Sequence, residues 1–258
     1  MKYIGVYDSG IGGLTVVKAI HNSLKNENIV FLADSKNMPY GCKSNNQIIE
    51  YSLNNMKILS EYDLKAAVIA CNTSDSLAKN KITKKYNIPI IGVIDSTVKK
   101  AIKTTKNKKI GLIATSATCK SKAYEKLINK YDNKIKVFTS PCPDLASLIE
   151  SQNNKQNKQL LTQSLIKYIK PLVDKKIDTL ILGCTHYHLL RNKIKKMYPD
   201  LMIVSSSACV VSQLKKTLKD NNLLSKSHGR SIYLTTKYSK VFNDNASKII
   251  PNIKFKEK

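Results

Sequence analysis

The sequence predicts an α/β fold in which mostly parallel β-sheets carry helices on both faces. Short, nearly continuous apolar runs rich in β-branched residues alternate with helix-length segments, a pattern typical of parallel strands buried on both sides. Parallel strands also require long crossover connections, which those segments can supply. The runs interpreted as strands are Tyr3–Tyr7, Ile29–Ala33, Ala66–Ala70, Ile90–Val93, Ile110–Ala114, Thr179–Leu182, Met202–Val204 and Ile232–Leu234.

Length and composition indicate a folded chain. Its 258 residues can form one large domain or two smaller ones, and 42% hydrophobic with 24% charged residues is ordinary for globular proteins. No apolar run reaches the roughly 18 residues of a membrane span, and Asp8 comes too early for a signal peptide. The six cysteines form no CxxC pair, so we expect free thiols and a cytoplasmic location.

The formal net charge of +26 raises the possibility of a polyanionic partner. Lysines are spread over nearly every predicted helix and loop, however, and Arg191 and Arg230 are the only arginines. Base and phosphate recognition normally favours arginine. We therefore interpret the charge as a solvated lysine surface and expect neither a nucleic-acid nor a membrane partner, with nucleic-acid binding kept as a rival hypothesis.

A glycine-rich turn follows the first predicted strand and opens a predicted helix. The segment from Asp8 to Thr15 reads Asp-Ser-Gly-Ile-Gly-Gly-Leu-Thr, and its glycines permit close backbone approach to an anion at the helix N-terminus. An ordinary βα turn would look similar. Asp8 at the carboxyl end of the strand favours a site, because ligands gather at that edge of open α/β sheets.

Two cysteines occur in similar surroundings farther along the chain. Cys71 and Cys184 each follow an apolar strand and are followed by a threonine within two residues, in Cys-Asn-Thr and Cys-Thr-His respectively. Either thiol alone is compatible with a structural buried cysteine. Both thiols would lie with Asp8 and His186 along one rim of the sheet. Two thiols on opposite faces of one carbon could remove one proton and return another.

At these residues the sequence resembles the glutamate racemases, a group within the aspartate/glutamate racemase family. The blocks occur in the order and spacing of that family, and two further matches are residues 114–121 and Cys142-Pro143, eight residues before Glu150. The resemblance thus covers nearly the whole chain. The main blocks are Asp8-Ser9-Gly10-Ile11-Gly12-Gly13, Pro39-Tyr40-Gly41, Cys71-Asn72-Thr73 and Gly183-Cys184-Thr185-His186-Tyr187.

The resemblance implies two similar α/β domains with mostly parallel sheets and the active site between them. The expected domains are residues 1–95 plus 208–258 and residues 96–207. It also implies a homodimer and an enzyme that needs no metal, pyridoxal or nicotinamide. The product would be D-glutamate for peptidoglycan. Because the chain begins almost directly at its first strand, we do not expect activation by a cell-wall precursor.

The resemblance also implies a role for individual residues. Cys71 would deprotonate the D-enantiomer with help from Asp8. Cys184 would deprotonate the L-enantiomer, with His186 and Glu150 on its side of the site. The residues expected to bind the amino acid are Asp8, Ser9, Tyr40, Gly41, Asn72, Thr73, Thr185 and His186.

Some residues depart from the family pattern and some alternatives stay open. Ser74 stands where alanine is common, and His188 stands where proline is common. His188 leaves open which histidine adjusts Cys184, and we favour His186.

An aspartate racemase is the main rival enzyme. A cysteine hydrolase or acyl transferase that uses Cys184 with His186 is a rival from another class.

Overall fold

The computed structural model describes residues 1–151, 155–226 and 229–258, which form one six-stranded and one four-stranded sheet. The order in the first sheet is β10-β9-β2-β1-β3-β4, and in the second it is β6-β5-β7-β8. The strands of the first sheet are β1 Tyr3–Asp8, β2 Ile29–Ala33, β3 Leu64–Ile69, β4 Ile90–Gly92, β9 Ser231–Thr235 and β10 Lys256–Glu257. Those of the second are β5 Lys109–Ala114, β6 Lys136–Pro141, β7 Thr179–Gly183 and β8 Met202–Ser205.

Helices connect the strands, and every strand pairing in the described ranges is parallel. The predicted α/β fold is therefore confirmed. The helices are α1 Leu14–Ser23, α2 Asn45–Leu59, α3 Asn72–Lys85, α4 Val93–Thr104, α5 Ser116–Ser121, α6 Ala123–Tyr131, α7 Leu145–Glu150, α8 Lys155–Val173, α9 Arg191–Met197, α10 Ser206–Asp220 and α11 Lys240–Ser247.

The eight predicted strands are all present, and β6 and β10 are additional. β6 is an edge strand whose four central residues are half-buried and whose end residues are exposed, so it lacks the continuous apolar run that marks the other strands. β10 has two residues and is an edge strand of the six-stranded sheet. The fourth predicted strand ends one residue early, because Val93 begins α4.

Two helices carry the chain between the sheets. α4 joins β4 to β5, α10 joins β8 to β9, and the two helices pack against each other. The largest apolar core cluster is continuous across this junction, since it contains Val6 of the first sheet, Leu112 of the second, and Val98 and Leu214 of the crossover helices. The expected domain boundaries near residues 95 and 207 fall at the starts of these helices, and the division itself stays a prediction.

The sheets direct their carboxyl ends toward each other. Hydrogen bonds link the segments that follow these ends, from Thr185 after β7 to Asp8 of β1 and between Thr73 after β3 and Thr115 after β5. This junction is where ligands gather in α/β folds. Among the described residues, none of the helices has both the length and the apolar character that a membrane span requires.

Candidate active site

A cavity lies between the carboxyl ends of the two sheets, and ten of the eleven predicted site residues line it. The exception is Asp8, which is fully buried behind the cavity wall. The predicted residues in the lining are Ser9, Tyr40, Gly41, Cys71, Asn72, Thr73, Glu150, Cys184, Thr185 and His186. The fold thus brings together residues that are up to 177 positions apart in the sequence.

Asp8 holds the glycine-rich turn and the segment that follows β7 together. Its carboxylate accepts hydrogen bonds from the backbone N–H groups of Gly10 at 3.2 Å and Gly13 at 3.0 Å. The hydroxyl of Thr185 donates to it at 3.3 Å. Burial raises the pKa of Asp8, although the charge of His186 and the backbone hydrogen bonds oppose the rise. Its direct contacts are therefore with protein groups that shape the wall.

Cys71 is the second residue after β3 and immediately precedes α3. The residue is only 4% exposed, and its thiol donates to the hydroxyl oxygen of Ser9 at 3.7 Å. Burial raises the pKa of the Cys71 thiol to about 12, and the charge of Asp8 raises it further, while Ser74 and Ser9 oppose the rise. At neutral pH this thiol is protonated and can act as an acid.

A second group of contacts in the cavity lining joins Cys184, His186 and Glu150. The Cys184 sulfur lies 3.9 Å from Nδ1 of His186, and Nε2 of His186 lies 2.6 Å from Oε1 of Glu150. Burial by itself lowers the pKa of His186, but its contacts with Cys184 and Glu150 outweigh burial and raise that pKa well above its ordinary value. His186 is therefore held as an imidazolium between two groups that can be negative.

The second histidine of this segment occupies different surroundings. Nδ1 of His188 lies 3.2 Å from the Thr15 hydroxyl, and Nε2 accepts a hydrogen bond from the backbone of Ser206 at 3.2 Å. Burial lowers the pKa of His188 to about 4. The histidine in contact with Cys184 is therefore His186, and His188 is neutral near pH 7.

Neutral hydrogen-bonding groups form the wall next to Cys71. Asn72 is buried and its Oδ1 accepts from Tyr124 at 2.6 Å, whereas its Nδ2 has no hydrogen-bond partner in the described structure. The hydroxyl of Thr73 lies 2.9 Å from that of Thr115 and 3.2 Å from that of Thr118. A buried amide donor without a partner costs free energy, so it is suited to a ligand that brings an acceptor.

Thr115 is a site residue that the sequence motifs do not single out. Thr115 lines the cavity, and its hydroxyl lies 2.9 Å from that of Thr118. The signal was present, because Thr115 directly follows β5, just as Cys71 and Cys184 closely follow their strands. It was too weak to use alone, since a threonine that caps a helix is ordinary, and Thr115 does cap α5.

Tyr40 and Gly41 enter the wall from the loop before α2. The Tyr40 hydroxyl donates to the buried carboxylate of Asp34 and accepts from Nδ2 of Asn55 at 2.9 Å. Because this hydroxyl is already bonded, Tyr40 offers the cavity its ring and backbone rather than a free hydroxyl. A side chain at Gly41 would place its Cβ 2.9 Å from Cβ of Thr115.

The lining combines two thiols with neutral donors, and none of the described lining residues is lysine or arginine. In the described ranges, no group of three or more His, Cys, Asp or Glu side chains is arranged to hold a metal ion. Such a site can orient a small anionic molecule and place a thiol on each side of it.

Comparison with known proteins places this site in a family. Residues 4–214 match the Asp/Glu/Hydantoin racemase family, and the chain belongs to it. Its relatives include a glutamate racemase of Sulfurihydrogenibium sp. (strain YO3AOP1), which is 40% identical over 252 residues, covering 97% of this chain and 95% of that one. The prediction of an amino-acid racemase is confirmed by these matches.

Solved structures agree with this placement. The glutamate racemase isoform RacE1 from Bacillus anthracis has a TM-score of 0.94 at 35% identity, covering 99% of this chain and 97% of that one. The glutamate racemase from Francisella tularensis, solved in complex with D-glutamate, has a TM-score of 0.91 at 32% identity and covers 98% and 95% of the two chains.

Proposed function

We propose that the chain interconverts L-glutamate and D-glutamate by moving protons at Cα between two cysteine thiols. The observation that carries this proposal is that Cys71 and Cys184 line one cavity from two different sheets. Each thiol has its own set of neighbours, with the Asp8 carboxylate near Cys71 and the His186 imidazole beside Cys184. Relatives of this chain that are named glutamate racemase support the choice of substrate.

The groups around Cys184 and Cys71 suit the conversion of L-glutamate to D-glutamate by the resting enzyme. The imidazolium of His186, 3.9 Å from the Cys184 sulfur, attracts a thiolate there. That thiolate removes the proton from Cα of L-glutamate, and the protonated thiol of Cys71 then donates its proton to the opposite face. The product leaves a Cys71 thiolate and a Cys184 thiol, which is the state needed to start from D-glutamate. Burial and, after it, the charge of Asp8 raise the pKa of Cys71 and thereby favour its proton-donating form.

Neutral donors would bind the substrate and stabilise the charge that develops as Cα loses its proton. We assign this role to the free amide of Asn72, the hydroxyls of Ser9, Thr73 and Thr185, and the backbone at Tyr40-Gly41. Hydroxyl and amide donors hold a carboxylate without adding a fixed positive charge. This arrangement would take the place of a cofactor that accepts electrons, so we propose that the reaction is cofactor-independent.

The decisive experiment is turnover in deuterated water. We expect L-glutamate to lose its optical rotation and to gain deuterium at Cα, with little turnover of L-aspartate. Efficient turnover of aspartate without glutamate would instead identify an aspartate racemase. Cys71→Ser and Cys184→Ser should each abolish racemisation, and Cys42→Ser, which alters an exposed thiol, should retain it.

The contacts of Cys184 also fit a cysteine hydrolase. A thiol, an imidazole and a carboxylate in sequence are the arrangement by which such enzymes activate a nucleophile. This alternative requires only Cys184 and predicts a covalent thioester. If Cys71→Ser retained full activity and mass spectrometry trapped an acyl group on Cys184, the two-thiol proposal would be rejected.

We further propose that the enzyme is a cytoplasmic homodimer that supplies D-glutamate for peptidoglycan and cell shape. Its six free cysteines suit a reducing compartment. Expression in a bacterial strain that requires D-glutamate should restore growth. Sedimentation analysis should give twice the chain mass of 28.9 kDa.

A further inference from the structure

His188 lies in the 3₁₀ turn His186–Leu190 but contacts two helices outside that turn. Its Nδ1 is 3.2 Å from the hydroxyl of Thr15 in the first turn of α1. Its Nε2 meets the first residue of α10, at 3.2 Å from the backbone nitrogen and 3.0 Å from the hydroxyl of Ser206. One imidazole thus joins the turn that carries His186 to two helices outside it.

The donors around the ring determine its tautomer. The backbone N–H of Ser206 can only donate, so Nε2 of His188 must carry a lone pair. The Thr15 hydroxyl donates to the carbonyl oxygen of Gly12 at 2.8 Å, so it accepts a hydrogen bond from Nδ1–H. The imidazole is therefore neutral with its proton on Nδ1, in agreement with the pKa of His188, which burial lowers to about 4.

The two contacts serve groups that need partners. Ser206 is fully buried and opens α10, where the backbone N–H groups of the first turn have no partner within the helix. His188 accepts one of them. Through Thr15, the other contact reaches the carbonyl of Gly12, in the glycine-rich turn that Asp8 also binds.

Gly12 forms the surface against which His186 rests. A Cβ at Gly12 would lie 2.7 Å from Nδ1 of His186 and 2.9 Å from its backbone nitrogen, which shows how closely the two segments approach. The same Nδ1 faces the Cys184 sulfur at 3.9 Å. The hydrogen bonds from His188 to Thr15 and from Thr15 to Gly12 therefore connect the 3₁₀ turn to the backbone that packs against the imidazole of His186.

We propose that His188 is a positioning residue that holds His186 against Cys184 by tying the 3₁₀ turn to α1 and α10. The consequence for turnover rests on the proposed racemase function, whereas the consequence for the reactivity of Cys184 does not. Neither His188 nor Thr15 lines the cavity, so substrate contacts should survive their replacement.

Kinetics of three variants test the proposal. His188→Leu removes all the hydrogen bonds of the ring, and Thr15→Val removes the hydroxyl while keeping the shape of the side chain. A small displacement of a catalytic group has a large effect on rate, so we expect kcat for glutamate to fall about 10-fold or more in both variants. We expect KM to change by less than about threefold, since the substrate-binding residues are untouched. Thr15→Ser keeps the hydroxyl and should restore nearly normal kcat.

Site-resolved alkylation separates positioning from general damage to the fold. Iodoacetamide labelling followed by mass spectrometry measures Cys184, Cys71 and the exposed Cys42 in the same sample. We expect His188→Leu to slow the labelling of Cys184 severalfold and to leave Cys71 and Cys42 unchanged. Equal changes at Cys71 and Cys184, or no change at either, would refute the positioning role.

The tautomer provides a spectroscopic check, and the outcomes keep the two proposals apart. Nitrogen-15 spectra near pH 7 should show His188 neutral with its proton on Nδ1, and a proton on Nε2 would contradict the network. If the wild-type protein failed to racemise glutamate while Cys184 labelling still depended on His188, the function would be wrong and the positioning role would stand. Normal racemisation by His188→Leu would overturn the positioning role alone.

Discussion

Asp75 is a buried carboxylate whose ionisation opposes folding, and Asp75→Asn should show this directly. Asp75 lies in the first turn of α3 and is only 7% exposed. Its Oδ2 accepts a hydrogen bond from the backbone N–H of Ile94 at 2.7 Å, at the start of α4. An asparagine keeps an oxygen for that bond and has no charge, so it imitates the protonated acid.

The magnitude follows from the pKa. Burial raises the pKa of Asp75 from 3.8 to about 6, and the charge of Asp95 adds to the rise, while Lys79 opposes it. Because the folded protein holds this proton more tightly than the unfolded chain, the stabilisation is complete below pH 3.8 and is lost as the pH rises through 6. At about 1.4 kcal/mol per pKa unit, the wild type loses about 3 kcal/mol that the variant retains.

Urea unfolding followed by circular dichroism measures this difference. Between about pH 4 and pH 7, the unfolding free energy of Asp75→Asn should gain about 2.4 kcal/mol relative to the wild type, because the rest of the difference falls below pH 4. Asp178→Asn is the control. Burial raises the pKa of Asp178, but its hydrogen bonds from Thr105 and from the backbone of Asn107 and Lys106 outweigh burial and lower it, so its effect should be constant above about pH 5. If the Asp75→Asn and wild-type free energies stayed parallel across this range, the assigned cause would be wrong.

Three further substitutions test the site. Gly12→Ala would place a methyl group 2.7 Å from Nδ1 of His186, so we expect racemisation to fall about 100-fold, measured as initial rates, and near-normal rates would contradict the packing. Glu150→Gln removes the carboxylate 2.6 Å from His186; NMR titration should show a lower pKa for that imidazole, and an unchanged pKa would exclude Glu150 as a cause. Asp34→Asn weakens the hydrogen bond that the Tyr40 hydroxyl donates to Asp34. We expect KM for glutamate to rise about 10-fold as the loop before α2 loses its fixed position. An unchanged KM would show that this hydrogen bond does not hold the loop in place.

The strands could be predicted from the sequence because burial on both faces leaves a local record. All eight predicted strands are present, and the apolar runs mark them to within a few residues. The edge strand β6 lacked that record, because a half-buried edge tolerates polar residues such as Thr139 and Ser140. The positions of Cys71 and Cys184 just after their strands were likewise visible in the sequence.

Relations across the two sheets were decided only by the tertiary structure. The family block favours His186 over His188, but only packing shows that His186 meets Cys184 whereas His188 meets Thr15. Glu150 is 36 residues from the histidine it binds, so no short pattern connects them.

The sequence by itself determined the α/β architecture, the family and the residues expected at the site, since these depend on short apolar runs and contiguous motifs. The tertiary structure placed Asp8 behind the cavity wall, added Thr115 to the lining and separated the surroundings of the two thiols. The physical reason is that the position of a side chain in the site and the pKa of its ionisable group depend on burial and on nearby charges. Both are set by neighbours that are distant in the chain.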